Sequence, residues 1–309
     1  MSVKRSVGLM GGLGNQLFQL AFALNIPSAK PVQLVPILEN VRRNSMGEPE
    51  ILSLVLPSSV EVRSDERFLN PLTTKLLSYG LRVTSSNTSL GKVSIASKIA
   101  SLSHHLLRDE VKFAKGLGSG EFQYSPNHNL IHVGYYQTHL FSEGEEVFSY
   151  LMSLRPKRQS DILADLVSRA SQEEAIMLHV RLTDYLTSPG FGIPSREYYK
   201  EGISQLFNIL GERPIWVFSD DVIKAKEFLP IEFSRHFHFP EALPDAVLNW
   251  ELMRHFHGYV IANSSYSWWA ARLRRNSEAP VVLPWPWFIG GGHTKDDLVP
   301  HGWITLNKG

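Results

Sequence analysis

AIMLHVRLTDY, Ala175 to Tyr185, is the stretch whose reading decides the fold. Its first six residues, Ala175 to Val180, are apolar apart from His179 and read as a strand, with Arg181 directly after it. Moving outward toward the carboxyl end, strand and helix patterns alternate. Ser195 to Leu210 reads as a helix with Ser195 at its N-cap, Pro214 to Phe218 as a strand, and Asp221 to Phe228 as a helix. A short strand around His236 to Phe239, a helix from Pro244 to Phe256, the strand Tyr259 to Ala262, a helix from Ser265 to Arg275 and the strand Val281 to Leu283 follow. Such alternation implies a parallel sheet covered by helices on both faces, an α/β architecture whose ligands bind at the carboxyl ends of strands. The loops that begin at Arg181, Ser219 and Asn263 each follow a strand directly, so they are where chemistry is expected.

Toward the amino end, RPKRQS (Arg155 to Ser160) is polar, contains Pro156 and reads as a linker, which divides the chain into domains 1–158 and 159–309. Before it lie a strand, Leu130 to Val133, the turn Gly134-Tyr135-Tyr136-Gln137, and an amphipathic helix from about Ser142 to Leu154. The chain opens with a strand, Ser6 to Met10, a tight turn, Gly11 to Gly14, and a helix, Asn15 to Leu24. From Pro27 to Gly120, Pro, Ser and Gly punctuate short apolar runs and few elements can be placed. One exception is Lys92 to Lys115, where Ile95, Ile99, Leu102 and Leu106 recur at helical spacing among Lys98, Arg108 and Lys112. That helix either packs on the core of the first domain or rests its basic side on anionic lipid.

The composition narrows the function classes. A hydrophobic share of 43% and a charged share of 20% in 309 residues fit a water-soluble globular protein and exclude disorder and a membrane bundle. With Cys at 0, thiolate metal sites, disulfides and cysteine nucleophiles are excluded, so chemistry falls to His, carboxylates, hydroxyls, amides and Arg. The sequence contains no run near the ~18 consecutive apolar residues of a membrane span, and a cytoplasmic location is expected. Residues 1–160 carry 17 Lys and Arg against 12 Asp and Glu, while residues 161–309 carry 14 against 18. The basic half lacks dense Lys/Arg blocks with interleaved aromatics, which argues against a nucleic-acid partner but leaves a peripheral contact at the inner membrane open.

Four constellations carry candidate chemistry. GGLGNQ (Gly11 to Gln16) joins a strand to a helix, so its amides either receive anionic oxygen or simply make a turn. It is not a dinucleotide fingerprint, because Leu17 stands where the third small residue belongs. In HVRLTDY, His179 and Arg181 share a face, and an arginine at a strand end needs either a structural carboxylate, with Asp184 nearby, or a ligand anion. In FSDD, Ser219, Asp220 and Asp221 either cap the following helix or offer a carboxylate to the two N–H donors of a guanine. In ANSSYSWWAARL, Asn263, Ser264 and Ser265 gather hydroxyls and free amides at a helix start, which suits a phosphate as well as ordinary capping, and Trp268 and Trp269 read as helix packing. The chain has no Asp-x-Asp at a strand end, Asp220-Asp221 and Asp296-Asp297 point apart more readily than they chelate, and His236-x-His238 and His255-x-His257 read as structural pairs.

Taken in order, GGLGNQLFQLAFAL, GYYQTHLF, HVRLTDY, SREYYKEGI, VFSDD and YVIANSSYSWWAARL resemble the motif series of the family 11 glycosyltransferases, the α-1,2-fucosyltransferases of bacterial type. The resemblance runs from Gly11 to Leu273, leaves roughly Pro27 to Gly120 uncovered, and implies a GT-B fold, two Rossmann-like domains facing across a cleft. It implies an acceptor-side first domain, a donor-binding second domain, a GDP-fucose donor, a galactose-containing acceptor, inversion at the anomeric carbon, and neither cofactor nor metal. It assigns catalysis to Arg181, Asp184 and Asn15, and donor binding to Gly12, Gly14, Asn15, His179, Arg181, Ser219, Asp220, Asp221, Asn263, Ser264 and Ser265. Arg181 would hold the pyrophosphate, Ser264 and Ser265 would share the phosphates, His179 with Asp220 or Asp221 would meet the nucleoside, and Asn15 would reach toward the sugar. Three positions depart from the family pattern: Thr183 replaces a glycine, Leu17 a methionine, and Asn249 an aspartate. A changed GDP-6-deoxyhexose donor and a non-catalytic nucleotide-sugar or glycan-binding protein are the rival readings.

Overall fold

The structure, a computed structural model, describes residues 5–28, 31–36, 41–62, 111–114, 131–183, 192–289 and 294–309. The chain forms two compact units, Met1–Arg155 with Gly292–Leu298, and Pro156–Gly291 with Val299–Gly309.

In the first unit, β1 (Ser6–Leu9), β2 (Val32–Pro36), β3 (Val60–Val62), β4 (Val111–Phe113) and β5 (Ile131–Val133) form a parallel sheet in the order β3-β2-β1-β5-β4. β1 lies between β2 and β5, so the strand order reverses beside it and the ends of β1 and β5 flank a topological switch point. Helix α1 (Leu13–Leu24) leaves β1 through Gly11, whose φ of +68° is a left-handed conformation that favours glycine. The helix is buried nearly all round, and its two glutamines are internal but fully engaged. Gln16 Nε2 donates to the carbonyls of Gly11 (2.9 Å) and Arg42 (3.1 Å), and its Oε1 accepts from the Ile51 amide (2.9 Å). Gln19 ties the two strand ends together, accepting from the Met10 amide (3.0 Å) and donating to the Gly134 carbonyl (3.3 Å). Helices α2 (Glu145–Ser153) and, much later in the chain, Lys295–Leu298 complete the unit.

The helix expected over Lys92 to Lys115 does not run through its last turn. Val111–Phe113 is the edge strand β4, paired in parallel with β5 from Val111 opposite Ile131 to Phe113 opposite Val133. Val and Phe are strand formers, and an open edge on β5 supplies the ladder bonds that a helix would take from within itself. The earlier part of that segment lies outside the described residues.

In the second unit, α3 (Asp161–Gln172) leads to β6 (Ile176–Val180), α4 (Arg196–Leu210), β7 (Ile215–Ser219), α5 (Val222–Phe228) and β8 (Phe237–His238). Then come α6 (Ala246–Met253), β9 (Gly258–Val260), α7 (Ser265–Arg272), β10 (Val281–Trp285), α8 (Lys295–Leu298, which belongs to the first unit) and β11 (Ile304–Asn307). The sheet order is β11-β10-β9-β6-β7-β8, all parallel. This is the doubly wound Rossmann-like order, with the switch point between β6 and β9. The strands are apolar on both faces because helices cover both. α4 packs against β9 and β10 at Gly202, where a Cβ would lie 3.0 Å from Val260 Cγ1, and its Tyr198 hydroxyl donates to the carbonyls of Ile261 (2.6 Å) and Val282 (3.2 Å). Trp268 and Trp269 are fully buried in α7, so they pack that helix as expected. Among the described residues no helix is long and apolar enough to cross a membrane.

A buried ion cluster joins the end of α6 to the segment after α7. The Glu251 carboxylate takes Arg254 Nη1 at 2.7 Å, Arg275 at 2.7 Å and His255 Nε2 at 3.1 Å. Arg254 is 0% exposed, stacks on the Trp250 ring at 4.6 Å, and donates from Nε to the Leu273 carbonyl.

Candidate active site

The register of β6 explains what meets at the second switch point. His179 pairs with Phe218 and Val180 with Ser219, so the next residue on each strand brings Arg181 beside Asp220. On the other side Leu178 pairs with Val260, and the same register carried past the strand end sets Arg181 level with Asn263. Arg181 Nε lies 3.3 Å from Asp220 Oδ2, with both side chains about 15% exposed. Asp220 is therefore a partner of the arginine; Asp184 lies outside the described residues.

Asp220 binds the whole turn after β6. Its Oδ1 accepts from the Leu182 amide at 2.9 Å, and its Oδ2 accepts from the Thr183 amide at 3.1 Å and from the Thr183 hydroxyl. Burial by itself would raise this carboxyl, but the Thr183 hydroxyl, the Leu182 amide, the Arg181 charge and the Thr183 amide together hold it below the usual range. Thr183, one of the three departures from the family pattern, thus supplies a donor that glycine could not. Asp221 caps α5, accepting from the Lys224 amide at 3.0 Å and pairing with Lys224 Nζ at 2.9 Å. Ser219 closes the same turn, its hydroxyl bridging the Asp221 amide and carbonyl at 3.1 Å.

The loop after β9 faces this turn across the switch point. Asn263 is buried, and its Nδ2 donates to the carbonyls of Gly192 and Trp287, both at 3.0 Å. Ser264 is the N-cap of α7, yet its hydroxyl does not bond back to the helix's first turn. The cap side chains of α3, α4, α5 and α6, namely Ser160, Ser195, Asp221 and Asp245, all do. Together with Ser265 in the first turn, this leaves hydroxyls and helix-start amides gathered beside the Arg181 loop, an arrangement that suits an anion. His179 is buried, its Nδ1 2.8 Å from Ser267 Oγ on α7, and its carbonyl accepts from the Tyr199 hydroxyl at 3.2 Å. It therefore locks β6 to α7.

Lys308, which sequence reasoning did not single out, and Asn249, which it did, shape this edge. Lys308, just past β11 and 2% exposed, donates from Nζ to the Trp287 carbonyl at 3.1 Å, the same oxygen that Asn263 uses. Burial pushes its ammonium down to a pKa of about 8. Asn249, the departure in α6, accepts from the Leu243 amide (3.1 Å) and donates to the carbonyls of Leu243 (2.6 Å) and Asp245 (2.9 Å). An aspartate could make the first bond but neither of the others, so Asn249 closes its own loop.

In the first unit the start of α1 after the glycine loop is met by the chain itself. The Leu13 amide at the start of α1 donates to Glu50 Oε2 at 2.6 Å, so a carboxylate of the chain itself sits at the helix N-terminus. A Cβ at Gly12 would meet Arg42 Cδ at 3.2 Å and Glu50 Oε2 at 3.6 Å, and Gly14 is buried within the first turn. Asn15 lies at the switch point of this sheet, its Oδ1 accepting from Gln137 Nε2 at 3.0 Å. Glu50 comes from a 3-10 turn whose pairing with Leu13, 37 positions away, left no sequence signal.

Several side chains of the remaining His and Asp pairs have structural partners. His236 lies by Glu212, His238 against the Trp216 ring at 4.6 Å, His255 in the Glu251 cluster, and Asp297 caps Thr294 at 2.8 Å.

These features define an α/β protein with two Rossmann-like sheets and an arginine and serine-bearing helix start at the second switch point. The chain belongs to glycosyl transferase family 11, whose model matches residues 6–307. It is 33% identical over 133 residues to the O-antigen biosynthesis glycosyltransferase WbnK of Escherichia coli, a match spanning 42% of this chain and only 43% of that protein. It is 27% identical over 322 aligned positions to an alpha-1,2-colitosyltransferase of Escherichia coli, covering 97% of this chain and 98% of that one. Among solved structures it is similar to fucosyltransferase NodZ from Bradyrhizobium, at 12% identity and a TM-score of 0.46 over 88% of this chain and 94% of that one.

Proposed function

We propose that this glycosyltransferase moves L-fucose from GDP-β-L-fucose to the 2-hydroxyl of a galactoside, inverting the anomeric carbon and using no metal. The observation that carries the reading is Arg181, fixed by Asp220 at the switch point between β6 and β9, with Ser264, Ser265 and the start of α7 on the neighbouring strand end. Cleavage of the sugar–phosphate bond leaves an oxocarbenium-like carbon and a diphosphate whose negative charge grows. A cation and helix amides held on the β-phosphate therefore stabilise the transition state more than the ground state. That supply of positive charge does the work a divalent metal would otherwise do. In this reading Asn15 would contact the sugar and Asp184 would take the proton of the acceptor hydroxyl; a phosphate oxygen suffices if the hydroxyl acidifies late.

Membership of family 11 supports sugar transfer, and the relative named an alpha-1,2-colitosyltransferase supports the 1,2 linkage. That same relative favours a second reading, transfer of a different deoxyhexose to the same kind of hydroxyl. GDP release from a panel of GDP-sugars, with and without galactosides, separates them. Release that is fastest with GDP-L-fucose and depends on the galactoside is expected. Preference for another GDP-deoxyhexose replaces the donor, and GDP binding without release from any donor makes the chain a binding protein.

A further inference from the structure

Asp220 stands one residue past β7, where a carboxylate could face a ligand, yet both of its oxygens turn onto the chain itself. Oδ1 holds the Leu182 amide at 2.9 Å; Oδ2 holds the Thr183 amide at 3.1 Å, the Thr183 hydroxyl, and Arg181 Nε at 3.3 Å. Three consecutive residues after β6 are thus bound to one carboxylate on the adjacent strand. Arginine grips a phosphate through a planar fork of terminal nitrogens, so a carboxylate fixed on Nε sets the plane of that fork. The three donors that hold the carboxylate in turn keep it from rotating away.

Resting on the reading that Arg181 holds the departing diphosphate, we propose that Asp220 and Thr183 are positioning residues. They fix the turn Arg181-Leu182-Thr183 and with it the guanidinium, and Asp220 does not read the donor's base. A base-reading carboxylate presents its oxygens to two N–H donors of guanine, whereas these oxygens already accept three hydrogen bonds from the protein and pair with the Arg181 guanidinium. Thr183 is exposed, so water can replace part of what its hydroxyl gives, and its share is the smaller one.

The test compares Arg181→Lys, Asp220→Asn, the double variant, Thr183→Val and Thr183→Ser in the full chain, each checked for an unchanged circular dichroism spectrum. Turnover is measured for all, and GDP against inosine diphosphate binding for Asp220→Asn. Misplacing the guanidinium should lower kcat by roughly 10-fold to 100-fold in Asp220→Asn. Thr183→Val should lose on the order of threefold to tenfold, and Thr183→Ser should restore most of that. In the Arg181→Lys background Asp220→Asn should cost less than about threefold more, because the two act as one unit. The preference for GDP over inosine diphosphate should be unchanged. A preference narrowed tenfold by Asp220→Asn, or losses that multiply in the double variant, would overturn the positioning role. Full turnover in Asp220→Asn with a strong Arg181→Lys defect would sink this inference alone, while full turnover in Arg181→Lys would sink the diphosphate reading with it. Should Asp220→Asn fail to fold, the Val and Ser pair at Thr183 decides: equal turnover of the two overturns the proposal.

Discussion

Replacing Glu251 by Gln should destabilise this protein more than any surface change, and the cluster around it sets the size of the effect. The substitution keeps the side chain's shape but leaves Arg254, which is fully buried, without its countercharge at 2.7 Å. Removing one member of a buried ion pair costs about 3–5 kcal/mol, because the other charge is stranded. The titration of the carboxyl gives a second measure. Burial alone would raise it, but His255, Arg254 and Arg275 outweigh that and hold it at about 2, against an ordinary 4.5. A difference of that size corresponds to roughly 3 kcal/mol. The folded carboxyl binds its proton less readily than the unfolded one, so this contribution is complete above the ordinary pKa and fades as pH falls toward 2. Burial also pushes Arg254 down to about 10, so desolvating the guanidinium offsets part of what the pair contributes, yet Arg254 remains charged throughout the acid range. For a unit of about 150 residues each kcal/mol moves Tm by roughly 2–4 °C, so Glu251→Gln should melt about 6–12 °C lower at pH 7. Differential scanning calorimetry checks this, together with the double variant Glu251→Leu with Arg254→Met. The double variant should recover at least half the loss, since apolar groups can replace a buried pair. Wild type should also lose stability more steeply than Glu251→Gln between pH 4.5 and 2. A shift within 2 °C for the single variant, or a double variant that melts below it, would refute the reasoning.

Arg181→Lys should keep the melting temperature within a few degrees but cut kcat by roughly 10² or more, since a point ammonium cannot reproduce a forked contact to phosphate; steady-state kinetics beside a thermal melt would show it. Asn15→Ala should reduce transfer while isothermal titration finds GDP affinity within a few fold of wild type, and equal losses in both would place Asn15 at the nucleotide. Activity should survive exhaustive EDTA, and a loss that Mg²⁺ or Mn²⁺ restores would contradict the metal-free mechanism.

How much could be read from the sequence follows from which contacts are local. The second unit's strands were legible because burial on both faces makes each a short apolar run, as in IMLHV and VVLPW. Its helix starts were legible because capping is a contact within one turn: Ser195 accepts from the Tyr198 amide at 3.2 Å, and Asp221 from Lys224. Helix α3 escaped because it is largely exposed, with Ala170 its one buried residue, so its apolar stripe is thin. β2, β3 and β4 are short strands in a Pro- and Ser-punctuated stretch, and their ladders join segments far apart in the chain. The site divides the same way. Arg181 showed itself as a charge at the end of an apolar run, whereas its contact with Asp220 depended on strand register. Glu50 at the start of α1 and Lys308 behind Asn263 likewise arrive through tertiary packing alone.

The central claim is that Arg181 and the start of α7 hold the diphosphate of GDP-fucose while a galactoside 2-hydroxyl attacks. It is tested most directly by proton NMR of the product formed from GDP-β-L-fucose and a simple β-galactoside. The account predicts a single fucosyl residue, α-configured at its anomeric carbon and attached to O2 of galactose. A β-configured product, attachment at any other hydroxyl, or no transfer from a donor that binds would contradict it.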